Sequence, residues 1–148
     1  MPTLSITHID HVSVLVTDLE RSRRFYGGIL GLREIAKPLT FTFSVLWYDL
    51  GTGHLHLLLK PQADSLGPRH FALRVTDTDA ARDHFRAHGI AIDETVLIPG
   101  ADRFFVSDPD GNRIEIIRWE QPYDPVTSGA PALDGATHFP ARGTHTIS

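Results

Sequence analysis

Residues 8–18 read HIDHVSVLVTD and residues 68–77 read PRHFALRVTD, and laying one over the other decides the fold. His11 falls on His70 at a shift of 59 positions, and the same shift carries Asp18 onto Asp77 and Arg23 onto Arg82. Further along it carries Asp49 onto Asp108, and His56 of GTGHLHLL onto Glu115 of GNRIEII. Self-similarity at a fixed period marks a duplicated supersecondary unit. Each copy places two good metal ligands at matching positions, so the duplication itself proposes a four-ligand site.

Within the first copy, Val12, Val14 and Val16 alternate with His11, Ser13, Leu15 and Thr17, the period of a half-buried strand over residues 8–17. Asp18 caps a helix with Leu19, Ser22, Phe25, Tyr26, Ile29 and Leu30 on its apolar face, ending near Gly31. A short strand over 33–37 precedes Pro38. Phe41, Phe43, Val45 and Trp47 alternate as a third strand, and Gly51 to Gly53 turn the chain into a fourth over 54–60. The second copy repeats the order: a strand over 70–76, a helix from Asp77 to near Gly89, a weak strand over 91–96, and strands over 103–107 and 112–119. The DPDGN stretch, Asp108 to Asn112, joins the last two as a tight turn and reads as that rather than as a carboxylate cluster. This is an α+β chain of two βαβββ modules, about 7–60 and 67–119, within one domain over 1–120. Residues 121–148, rich in Pro and Gly, lack periodicity and read as an irregular tail.

The 148 residues suit a single domain with a sizeable core. A hydrophobic share of 41%, a charged share of 22% and a formal charge of −4 are ordinary for a globular protein and give no footprint for nucleic acid. No apolar run reaches the roughly 20 residues that span a bilayer, and the N-terminus lacks a signal-peptide pattern. No membrane partner is expected, and cytoplasm is the default location. The absence of cysteine excludes disulfides, thiolate zinc sites and a cysteine nucleophile. Nine histidines do not make a metal site: His138 and His145 fall in the tail, His84 and His88 on a helix.

Strand alternation sorts the rest. The rows Val12/Val14/Val16, Phe71/Leu73/Val75, Leu55/Leu57/Leu59 and Ile114/Ile116 face the helices. His11, His70, His56 and Glu115 therefore project from the opposite face, where two curling sheets would bring them together. Three imidazoles and one carboxylate suit one divalent ion such as Fe, Mn, Co, Ni or Zn, with two positions left for substrate oxygens. His54 shares the face of His56, but its repeat partner is Arg113, which is no ligand, so it belongs behind the ligands or on the rim. Asp18 and Asp77 read as caps, and the glycine pairs lack the strand–loop–helix order of a phosphate loop.

The segments IDHVSVLVTDLERSRRFYGGILGL, LHLL, RHFALRVTDTDAARDHF and VSDPDGNRIEII together resemble the vicinal oxygen chelate superfamily, over roughly residues 7–118. That group holds glyoxalase I, methylmalonyl-CoA epimerase, extradiol dioxygenases, fosfomycin-resistance thiol transferases and bleomycin-resistance proteins. The resemblance implies paired modules forming an open, cup-shaped mixed β-sheet barrel with helices outside, often in a homodimer. It marks His11, His56, His70 and Glu115 as metal ligands. Glyoxalase I commonly has glutamate, and the epimerase glutamine, where His56 stands. With one carboxylate the divalent site would be formally positive, and a two-base mechanism loses one base.

The leading expectation is a glyoxalase- or epimerase-like isomerase or lyase for a small hydroxycarbonyl substrate with two adjacent oxygens, with Glu115 as the proton-transfer base. Trp47, Phe41, Phe43, Phe104 and Phe105 are candidates to wall its pocket or to fill the core. An Fe(II) ring-cleavage dioxygenase could use His11, His70 and Glu115, but His56 crowds a position such enzymes leave open. A fosfomycin transferase has no ligand at the His56 position. A metal-free binding protein of the bleomycin-resistance kind lacks the ligand set that this chain fills.

Overall fold

A computed structural model of the protein describes residues 3–132. Most of the tail, with His138 and His145, lies outside the described residues. Two four-stranded mixed sheets carry the fold, in the orders β1-β4-β3-β2 and β5-β8-β7-β6. The first comprises β1 (His11–Val16), β2 (Arg33–Ile35), β3 (Val45–Asp49) and β4 (His54–Leu59). The second comprises β5 (His70–Arg74), β6 (Asp93–Glu94), β7 (Ala101–Ser107) and β8 (Arg113–Trp119). Helix α1 (Leu19–Arg23) follows β1, α2 (Thr78–Ala87) follows β5, and a short α3 (Pro125–Ser128) lies in the tail. The architecture is α+β as expected, with the sheets open rather than closed into a barrel. Among the described residues no helix is long and apolar enough to cross a membrane.

The repeat governs register as well as order. His11 pairs with His54 across parallel β1 and β4, and 59 residues later His70 pairs with Arg113 across parallel β5 and β8. In the third strand of each sheet the shift slips to 58: Trp47 lies opposite His56, and Phe105, not Val106, lies opposite Glu115. The match of Asp49 with Asp108 is therefore no structural equivalence. Asp49 ends β3, where Arg33 and the Gly51 amide meet its carboxylate, whereas Asp108 lies beyond β7 and is buried.

Both expected caps form. Asp18 accepts from the Arg21 amide and Asp77 from the Ala80 amide, each at 3.0 Å, satisfying donors that a helix start leaves free. The first helix then widens into a π-helical turn over Arg24–Ile29, which sequence periodicity did not signal. Gly27, packed against Tyr48, lies in that turn, and the wider winding buries the consecutive pair Phe25 and Tyr26. Phe41 and Phe43 do not join β3 as expected. Pro38 starts a turn closed by the Phe41 amide, and the two rings stack at 4.6 Å, closer than the roughly 6.6 Å between alternate strand residues. Leu59 ends β4 exposed rather than facing the core.

One core spans both sheets: Val16, Tyr26, Leu55 and Leu57 pack in the same cluster as Phe85, Phe104, Ile114 and Ile116. Phe104 is thus core and not pocket wall. Between the halves runs a polar seam centred on the DPDGN turn. Asp108 accepts from the Tyr26 hydroxyl at 2.7 Å and from the amides of Asp110 and Asn112. Asp110 accepts from the Thr17 hydroxyl and amide and from Arg21, and Asn112 Nδ2 donates to the Leu15 carbonyl. Burial and the Asp108 carboxylate push the Tyr26 hydroxyl far above its usual range, so it remains a donor.

Candidate metal centre

His11 and His56 come from an edge strand and its parallel neighbour in one sheet, His70 and Glu115 from the same pair of strands in the other. The structure brings these residues together as two pairs. The His11 and His56 rings stack at 4.3 Å, and His70 Nε2 stands 3.0 Å from Glu115 Oε2. His11 and His70 both line a cleft of about 430 Å³, with His54 on its wall. Among the described residues, no group of three or more His, Cys, Asp or Glu side chains stands close enough to hold a metal ion.

The hydrogen-bond partners nevertheless fix which nitrogens are free. The carboxylate of Asp10 accepts from His11 Nδ1 at 2.7 Å, so in the neutral ring Nε2 carries the lone pair. The Pro68 carbonyl accepts from His70 Nδ1 at 2.8 Å, with the same consequence for its Nε2. That lone pair faces a carboxylate oxygen. Two acceptors at 3.0 Å need a proton or a metal cation between them. His56 Nε2 is buried with no hydrogen-bond partner among the described residues. Burial first, then the neighbouring His11 and His54, push the His56 pKa down and favour the neutral ring. The donor types are those a divalent ion takes: three imidazoles, two of them oriented from behind by Asp10 and the Pro68 carbonyl, and one buried carboxylate.

Around the first pair the walls are aromatic. Trp47 stacks on His56 at 3.7 Å with a 10° interplanar angle, and Phe41 meets Trp47 edge-on. Phe41, Phe43 and Trp47 line a pocket of about 510 Å³ with His11, His54 and His56, as the sequence allowed. Around the second pair the walls are cationic. Arg103 Nη1 donates to Glu115 Oε1 at 3.2 Å, while its Nε and Nη2 bond the Val96 carbonyl. Sequence reasoning missed Arg103, although alternation along β7 places it on the face of Phe105. Its counterpart by register is the apolar Val45, so comparing the repeats drew no attention to it.

Gly53 connects the backbone to this site. A Cβ there would stand 2.5 Å from the Asp10 carbonyl oxygen, which accepts from the His54 amide where β4 begins beside β1. Gly53→Ala is expected to cost about 1–3 kcal/mol in urea denaturation, as overpacking against fixed backbone does. Full wild-type stability in that variant would show that the two strands part freely at this point.

Two open mixed sheets, each presenting a pair of polar side chains from a parallel strand pair, define an α+β fold built by duplication. The Glyoxalase/Bleomycin resistance protein/Dioxygenase superfamily model matches residues 8–116. The chain belongs to that superfamily. It is 29% identical over 125 residues to Glyoxylase I 4 of Arabidopsis thaliana, covering 76% of this chain and 71% of the relative. A solved structure of a protein assigned to the glyoxalase family, from Bacillus anthracis, superposes with a TM-score of 0.73 at 30% identity, over 80% of this chain and 99% of the other. An antibiotic-binding protein from a Streptomyces species superposes with a TM-score of 0.67 at 28% identity, over 79% and 99%.

Proposed function

We propose that the protein is a divalent-metal-dependent enzyme of lyase or isomerase type, working on a small hydroxycarbonyl compound with two adjacent oxygens. The observation that carries this reading is the His70–Glu115 contact: His70 Nδ1 is held by the Pro68 carbonyl while Nε2 stands 3.0 Å from a carboxylate oxygen, a spacing that calls for a proton or a metal cation between them. His11, His56, His70 and Glu115 would hold the ion, with Asp10 and the Pro68 carbonyl orienting two of the rings from behind. When bound, such an ion supplies Lewis-acid polarisation of the two substrate oxygens. Arg103 would hold Glu115 by Oε1, so that Oε2, once its contact with His70 gives way to substrate, would take the proton from the hydroxyl-bearing carbon and return it to the adjacent carbonyl carbon. Family resemblance adds a homodimer working in the cytoplasm, checked by light scattering and fractionation.

Metal-stripped protein titrated anaerobically with Co(II), Ni(II), Zn(II), Mn(II) and Fe(II) is expected to take up one ion per chain. Uptake of none of them would sink the reading. Deuterium entering dihydroxyacetone from heavy water, dependent on the loaded protein, is the further sign of proton transfer at carbon. Yellow ring-cleavage product from catechol and oxygen on the Fe(II) form would instead assign the dioxygenase reaction. A second reading, a metal-free binder of planar molecules, draws on the Trp47–His56–His11 stack and on the antibiotic-binding relative. It requires a protein that binds flat aromatic compounds equally well with and without metal.

A further inference from the structure

We propose that Arg113 forms an oxyanion subsite beside the candidate metal centre, so that the substrate carries a carboxylate or phosphate a few atoms from its two adjacent oxygens. This inference rests on the metal-centred reading above and names the substrate class for it. Arg113 is the direct cross-strand neighbour of His70, in the position that His54 takes beside His11. His54 brings no permanent charge to its position; Arg113 always does. Its guanidinium lies over the Phe105 ring, 3.9 Å from the centroid, and the same ring meets His70 edge-on at 4.9 Å. A single aromatic platform therefore fixes both the cation and the candidate ligand.

Nη2 of Arg113 makes an ion pair with Asp93 at 2.9 Å, yet Asp93 is 62% exposed on the outer strand β6. An exposed pair of that kind is worth little and exchanges readily for a ligand. Arg113 lines a cleft of about 320 Å³ with Ser13, His70, Asn112 and the Arg69–Asp64 pair, and a second of about 340 Å³ with Phe105 and Asp93. A planar fork with spare donors, held on the same Phe105 ring as His70, matches a bidentate oxyanion tethered to a chelating group.

The test compares ligands that share their adjacent oxygens and differ in charge. Dihydroxyacetone phosphate is set against dihydroxyacetone, and 5-hydroxy-4-oxopentanoate against 1-hydroxypentan-2-one, by NMR titration of the metal-reconstituted protein, with metal content measured on the same samples. The charged member of at least one pair is expected to bind about tenfold or more tightly, and the pair that does so tells phosphate from carboxylate. Arg113→Gln is expected to bring the two members within about twofold while metal content stays unchanged, and Arg113→Lys to retain an intermediate preference. Equal binding within both pairs, or a preference that survives Arg113→Gln, overturns the subsite. Metal uptake without preference removes the subsite and leaves the proposed function. An Arg113-dependent preference in a protein that takes no metal does the reverse, and failure of both measurements removes both.

Discussion

His70→Ala is expected to weaken divalent-metal binding by more than about a hundredfold, read from a Co(II) titration followed by visible absorbance. Removing a group that merely orients a ligand from behind costs roughly ten- to a hundredfold. In the proposed site His70 offers the donor atom itself, with Nδ1 held by the Pro68 carbonyl and Nε2 turned toward Glu115. The loss therefore lies at or beyond the top of that range. His54→Ala, on the rim, is expected to cost less than about tenfold. His70 is a third exposed at its side chain and outside the main core cluster, so circular dichroism should show the variant folded. Co(II) binding by His70→Ala at wild-type strength would strip the quartet of its meaning. Glu115→Gln keeps the side chain's shape and its oxygen for Arg103 but removes the charge, and should reduce turnover far more than metal content. Equal losses would make Glu115 a ligand without a part in proton transfer.

Phe104→Ala is expected to destabilise the fold by about 3–5 kcal/mol in urea, the usual cost of deleting a fully buried aromatic ring. Phe104 has no exposed surface and packs edge-on against Phe85 of α2 at 6.0 Å. The Arg82 guanidinium covers its ring at 4.7 Å, and that arginine ties Asp102 and Glu94 together. The cavity left behind would sit between sheet and helix, where neither can close over it without breaking these ion pairs. A loss below about 1 kcal/mol would mean that the core relaxes far more than such packing allows.

The contrast of Phe104 with Phe105 shows where sequence reading reached its limit. Alternation says that neighbours point to opposite faces, but which ring faces the site depends on register. In the third strand the repeat slips by one residue, so Phe105 takes the place of Trp47, and an ungapped shift pairs Trp47 with Val106 instead. Elsewhere the shift of 59 holds through both parallel strand pairs, and for that reason the nearness of His11 to His56 and of His70 to Glu115 was legible. The helix caps were legible because Asp18 and Asp77 act through local backbone geometry. The π-helical turn and the departure of Phe41 and Phe43 from β3 were not. Both depend on what the rings pack against, which composition within a window does not carry. Arg103 escaped because its reach to Glu115 crosses between strands, and long flexible side chains leave no period in sequence.

The seam of Tyr26, Asp108, Thr17, Asp110 and Asn112 makes the covalent connection through residues 61–67 dispensable in principle. The bonds that cross that seam, from Thr17 to Asp110, from Tyr26 to Asp108 and from Asn112 to Leu15, join residues far apart in the sequence, and none passes through the connecting segment. Two polypeptides made by severing the chain there should therefore find one another and reassemble. Breaking Asp108 would deny the fragments their docking key, even though the covalent chain of each remained whole.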